Sequence, residues 1–245
     1  MKHPTSLFAF TALAIMACAC NNSPGRPGPE SEVIPPDRVL EFDVLYANNC
    51  AGCHGSHGNG GAAVPLSDPV FLAIADDAAI RRTAANGVPG TPMPAFARSA
   101  GGMLTDEQID AIVSGIRSWA KPHSLDGVTL PAYTEQGAGD PDKGADVYAI
   151  YCSGCHGPDG KGGKKASAIV SGSYLALVSD QDLRTNVIVG RPQWGAPDWR
   201  NDVSGRPMSA LEISDVVAWL VAQRPLLPGQ PYTDPSNDRS TGGLP

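Results

Sequence analysis

The sequence has no excess of positive charge: 18 Lys and Arg stand against 25 Asp and Glu, for a net charge of −7 at pH 7. That argues against nucleic acid as a partner, because phosphates are held by clustered cations. An acidic surface suits instead a protein partner with a basic docking patch. There is also no apolar run of bilayer length. The N-terminal stretch Leu7 to Met16 falls well short of the roughly 20 residues a helical span requires. Alternation of strand-like and helix-like patterns is missing too, which removes the setting of a thioredoxin-like redox motif. What remains is 42% hydrophobic and 18% charged, a globular balance. At 245 residues the chain is long for one compact domain and comfortable for two, and its 28 Gly and 23 Pro predict much loop and linker.

The N-terminus reads as an export signal over residues 1–17, with Lys2 and His3 ahead of an apolar segment. Ile15-Met16-Ala17-Cys18 resembles a bacterial lipobox, which predicts acylation at Cys18 and a flexible tether over 18–36. Cys20 is a poorer candidate, and an ordinary cleaved signal peptide is the alternative reading. Either version places the mature chain in the periplasm or on the outer face of the cytoplasmic membrane.

Four of the six cysteines are then left, in two pairs, and each pair is followed at once by histidine. Cys50-Ala51-Gly52-Cys53-His54 and Cys152-Ser153-Gly154-Cys155-His156 both read C-x-x-C-H, the attachment signature of haem c. Cysteines three apart near a helix start reach the two vinyl groups of one porphyrin as thioethers. The next residue then turns its imidazole to the iron from the same side. A zinc site would require the four cysteines to converge, yet about 100 residues of repeated sequence separate the pairs.

The repeat extends beyond the motifs. At an offset of 102, Gly55, Gly58, Gly60 and Gly61 fall on Gly157, Gly160, Gly162 and Gly163, and Tyr46 falls on Tyr148. At 103, Phe71-Leu72-Ala73-Ile74 falls on Tyr174-Leu175-Ala176-Leu177, and Gly87 falls on Gly190. Each half should end in an amphipathic helix opened by a capping box, Thr105 to Gln108 and Ser209 to Glu212. Ile109, Ile112, Val113 and Ile116 form one apolar stripe, and Ile213, Val216, Val217 and Leu220 form the other. Trp119 and Trp219, near the helix ends, are predicted to pack in the core. The expected layout is domain 1 over 37–121, a Pro- and Gly-rich linker over 122–139, domain 2 over 140–224 and an irregular tail over 225–245.

A helix before C-x-x-C-H, a glycine-rich loop, a middle helix, a Pro-rich loop with methionine and a closing helix resemble the class I cytochrome c family. The resemblance implies an all-α protein of two tandem domains, each wrapped around a covalent haem c, with His54 and His156 below the irons. It also implies methionine above them, since a thioether ligand raises the reduction potential. Gly90-Thr91-Pro92-Met93-Pro94 matches the methionine loop, so Met93 is the expected ligand of the first iron. His57, Met103 and His123 are its rivals. In the second half the position matching Met93 is Ala196, which cannot ligate iron. Met208 is the one methionine after His156. It is either the second iron's ligand or an apolar staple against Ile213; Lys164, Lys165, water or an open face are the other options.

The resulting expectation is a dihaem electron carrier in a membrane-associated, respiratory chain. Its expected partners are redox proteins or a membrane oxidoreductase complex, with membrane contact through a lipid anchor and no organic substrate. The competing readings are a peroxidase-like or ligand-binding protein with an open second haem, and an electron-accepting subunit of a dehydrogenase.

Overall fold

The computed structural model describes residues 34–121, 123–201 and 205–225. The signal-like stretch, Cys18 and the tail after Pro225 lie outside the described residues. Packing groups residues 1–39 into one unit and Leu40 onward into a second. Of the first unit the described part holds one 3-10 turn, Pro36–Arg38.

Regular structure among the described residues is helical throughout, as expected. The first half of the larger unit contains α1 (Phe42–Asn49), α2 (Ala51–His54), α3 (Pro69–Ile74), α4 (Asp77–Asn86) and α5 (Asp106–Ser118). The second half repeats the series with α6 (Pro141–Tyr151), α7 (Ser153–His156), α8 (Gly172–Leu175), α9 (Asp180–Val189) and α10 (Ala210–Ala222). No described helix is long and apolar enough to cross a membrane.

Local chemistry explains the boundaries. Both expected capping boxes are formed, Thr105 with Gln108 and Ser209 with Glu212, each contributing about 1 kcal/mol. A third box, Ser179 with Asp182, opens α9; its Asp at N3 hides it from a Glu/Gln pattern. α4 and α9 both stop at a glycine of positive φ, Gly87 at 65° and Gly190 at 68°. A Cβ at either position would strike the backbone of the loop that follows.

In each half the first helix crosses the last, α1 on α5 and α6 on α10. Gly115 lets α5 approach so closely that a Cβ there would run into the Phe42 ring. Offsets of 102 and 104 turn Phe42 and Gly115 into Gly144 and Trp219, so the large and small partners have exchanged helices. A Cβ at Gly144 would in turn run into the Asp215 carbonyl and the Trp219 side chain. Aromatic contacts close both crossings. Tyr46 meets Trp119 edge-on at 5.0 Å, and Tyr148 stacks on Trp219 at 4.3 Å.

A guanidinium ties the middle of each half to its last helix. Arg117 donates to the Leu72 and Ala75 carbonyls and pairs with Asp77. Arg224 does the same with Leu175, Val178 and Asp180. The three acceptors match at an offset of 103, while the donor has moved nearly one helical turn. Arg184, 2% exposed, pins part of the connecting segment by donating to the Ala132 and Tyr133 carbonyls and to Ser214 Oγ.

Candidate functional site

The two C-x-x-C-H segments are held almost identically. α1 runs to Asn49, Cys50 forms the corner, and α2 carries Cys53 and His54; α6, Cys152 and α7 repeat this with Cys155 and His156. The His54 amide donates to the Cys50 carbonyl at 3.0 Å, and the His156 amide to that of Cys152 at 3.0 Å. Gly55 (φ 83°) and Gly157 (φ 81°) then turn the chain sharply. Tyr46 Oη donates to the Gly55 carbonyl and Tyr148 Oη to that of Gly157, so one buried tyrosine braces each turn.

Each imidazole is oriented by one carbonyl. His54 Nδ1 lies 2.8 Å from the Val64 oxygen, and His156 Nδ1 lies 2.7 Å from that of Ser167. A carbonyl oxygen only accepts, so Nδ1 carries the hydrogen and Nε2 keeps its lone pair. Burial pushes His54 below the ordinary imidazole range, with the Val64 hydrogen bond opposing the effect, which also favours the neutral ring. These carbonyl partners are backbone atoms and left no trace in the residue pattern.

The four cysteines of the two corners form no disulfide with one another. Burial, with the neighbouring Cys53 second, raises Cys50 to about 11; burial and Cys155 do the same for Cys152. Such thiols are protonated at neutral pH. Two thiols and an imidazole with a fixed free lone pair, on one short corner, fit a covalently held haem with a nitrogen ligand on its iron. A bare ion does not fit: among the described residues no three His, Cys, Asp or Glu side chains converge for one.

The upper loops can be compared atom by atom. Val88 donates its amide to the Met93 carbonyl at 3.0 Å, and Arg191 donates to that of Ala196 at 2.9 Å. The loops therefore share a frame, and Ala196 stands where Met93 stands. Met208 is buried at 8% exposure, and its amide donates to Trp199 O at 2.9 Å. Leu104, 7% exposed, donates to Phe96 O at 2.8 Å. The structure thus puts Met208 in the place of Leu104. Met103 is 82% exposed; His57 and His123 are exposed, the latter paired with Asp126. Lys164 and Lys165 are exposed as well.

One residue of this region escaped the sequence reading. Arg191, at the root of the Ala196 loop, donates to the Gly61, Ala62 and Ala63 carbonyls of the first half at 3.2, 3.0 and 2.7 Å. Its Nε donates to Asn186 Oδ1 at 2.9 Å. The next carbonyl along, Val64, is the one that holds His54, so the upper loop of one half is tied to the histidine loop of the other.

The profile described as cytochrome C oxidase, cbb3-type, subunit III matches residues 38–114 and 139–220. The chain is 32% identical over 183 residues to the cbb3-type cytochrome c oxidase subunit FixP of Sinorhizobium medicae, covering 69% of this chain and 58% of that protein. It is 34% identical over 128 residues to the cbb3-type subunit CcoP of an Azospirillum species, covering 48% and 38%. It is 26% identical over 191 residues to the cytochrome bc1 complex cytochrome c subunit of Mycobacterium tuberculosis, covering 76% and 64%. The aligned part thus amounts to 38–58% of the length of the two cbb3-type relatives. A chain of the Kuenenia stuttgartiensis reducing HAO-like protein complex superposes with a TM-score of 0.47 at 19% identity, over 79% of this chain and 100% of that one. The two matched stretches are the two that carry the haem-holding corners: the chain belongs to the cytochrome c oxidase cbb3-type subunit III family, and its cofactor is covalent haem c, two per chain.

Proposed function

We propose that the chain relays single electrons through two haems outside the cytoplasm, on or within a respiratory oxidoreductase complex of the membrane. The observation that carries this reading is the corner built twice: two thiols and a carbonyl-oriented imidazole, in matching backbone frames. Cys50 and Cys53 hold one haem and Cys152 and Cys155 the other, in domains spanning 37–121 and 140–224. A bound haem supplies a one-electron ferric/ferrous couple.

The chain's own residues do the rest. His54 and His156 would each ligate an iron through Nε2, kept in one tautomer and orientation by the Val64 and Ser167 carbonyls. Met93 would be the first iron's thioether ligand and would favour its ferrous state. No proton needs to move and no substrate bond breaks, so the chain itself acts as a carrier and not as an enzyme. Export over 1–17 and acylation at Cys18 would keep it at the membrane surface, within reach of a quinol-oxidising complex or an oxidase.

Haem quantitation with pyridine under alkali, together with a potentiometric titration, tests this. Two haems per chain and two one-electron waves are expected, with one haem lost in His156→Ala or Cys152→Ser. A single haem per chain would overturn the reading. Labelling with radioactive palmitate, abolished in Cys18→Ala, tests the anchor.

A further inference from the structure

We infer that the upper face of the second haem is an open coordination site for a small neutral diatomic ligand such as carbon monoxide, with Ala196 in the place of a ligating thioether. The inference rests on the haem assignment to Cys152, Cys155 and His156 made above. The amide-to-carbonyl closures Val88–Met93 and Arg191–Ala196 agree to 0.1 Å, at 3.0 and 2.9 Å. The glycines that open the two loops have φ of 65° and 68°, and in both a Cβ would meet the carbonyl of the ligand position itself. These closures hold residues 190–196 in the register of 87–93. The methyl of Ala196 occupies the point from which Met93 extends.

Among the described residues, the other candidate groups are already engaged or wrongly placed. Met208 has the backbone partner, burial and helix-cap position of Leu104, a hydrocarbon that ligates nothing in the first half. Both side chains sit one residue before a capping box and five before a fully buried isoleucine, Ile109 or Ile213. Asp198 is held by Arg200 through both of its oxygens. Trp199 is 2% exposed and is only a donor. Lys164 and Lys165 belong to the loop that ends at Ser167, the residue holding His156, and so flank the lower ligand.

An iron held by His156, with the Ala196 methyl in place of a thioether, would keep one coordination position for an exogenous donor. The ligand class follows from the setting. An alanine methyl offers no hydrogen bond to an anion, whereas ferrous iron accepts a lone pair from carbon monoxide or nitric oxide without help. The step is one dative bond from ligand to iron, with no electron or proton transferred.

The test is carbon monoxide titration of the reduced, two-haem protein, followed by its Soret difference spectrum. One carbon monoxide per chain is expected, and the ferric protein should show a methionine-to-iron charge-transfer band of one haem's intensity. Ala196→Met should abolish carbon monoxide binding and double that band. Met208→Leu, which keeps an apolar side chain at the staple position, should change neither. Absence of binding in wild type, or binding that appears only in Met208→Leu, would overturn the inference. Haem quantitation on the same sample separates this outcome from failure of the assignment: a missing second haem defeats the proposed function, while two haems that bind no carbon monoxide defeat only the open site.

Discussion

The two halves share a backbone more closely than a set of side chains. The corner hydrogen bonds, the imidazole-holding carbonyls and the upper-loop closures agree within about 0.1 Å between them. Side chains have drifted within that frame, and in two of three cases the drift is compensated. Phe42 over Gly115 became Gly144 against Trp219, with bulk moved from one helix to the other. Arg117 became Arg224, nearly a turn further on but with equivalent acceptors. Met93 became Ala196 with nothing put back. Compensation where packing is at stake, and its absence at the iron, separates a constraint of the fold from one of the cofactor.

The strongest way to erase the difference is Met93→Ala, which should make the first half resemble the second. Reduced protein should then take up two carbon monoxides per chain, and the higher of the two reduction potentials should fall furthest of any variant here, as read by potentiometric titration. Next in size are the helix crossings. Gly115→Ala and Gly144→Ala should each cost about 1–3 kcal/mol in denaturant unfolding, because both approaches are already closed. Gly115→Ala should be relieved by Phe42→Ala, giving a double mutant less destabilised than the sum. Gly144→Ala should find no such rescue from Trp219→Ala, since its main obstacle is the Asp215 backbone.

Arg191→Gln probes the tie between the halves. Losing charge-assisted bonds to three carbonyls should cost about 1.5–3 kcal/mol and loosen the loop that orients His54. Faster proteolysis of the Gly61–Val64 loop and slower electron exchange between the haems, followed by flash photolysis, are the expected outcomes. An unchanged exchange rate would make Arg191 a purely structural brace.

The smallest effect concerns the closing caps. Glu212 is lowered to about 2, chiefly by its hydrogen-bonded pair with Arg206, whereas Gln108 at the same place in the first half carries no charge. A carboxylate held below its unfolded value contributes stability that is full above the usual glutamate range. That contribution is lost as pH falls toward 2. Acid should therefore weaken the second cap more than the first, where Glu107 is lowered by hydrogen bonds to its own backbone and to Thr105, and Glu212→Gln should reduce the second cap's acid sensitivity. Circular dichroism of wild type and variant between pH 6 and pH 2 reads it out, with values in the usual glutamate range taken as about 4.3.

The attachment corners and the repeat were legible because haem attachment fixes three residues within a window of five, and because glycines of positive φ admit little else. The capping boxes at Thr105 and Ser209 were legible for the same local reason. The proposed upper ligand of the first half, Met93, was read from its loop, but the second half left Met208, Lys164, Lys165, water and an open face as options. A side chain's value as a ligand depends on where its backbone is anchored, and that anchor is a bond to Trp199, nine residues earlier in the chain. The Arg117 and Arg224 clamps stayed hidden because the repeat offset carries Arg117 onto Val221.

By itself, then, the sequence determined the cofactor, the duplication, the helical class and the loss of methionine at Ala196, all properties written in short windows of residue identity. Only the tertiary structure decided that Met208 bonds Trp199 as Leu104 bonds Phe96, that backbone carbonyls orient His54 and His156, and that Arg191 joins one half's upper loop to the other's histidine loop. Each of these depends on hydrogen bonds to main-chain atoms eight or more residues away, and main-chain atoms are the same at every position of a sequence.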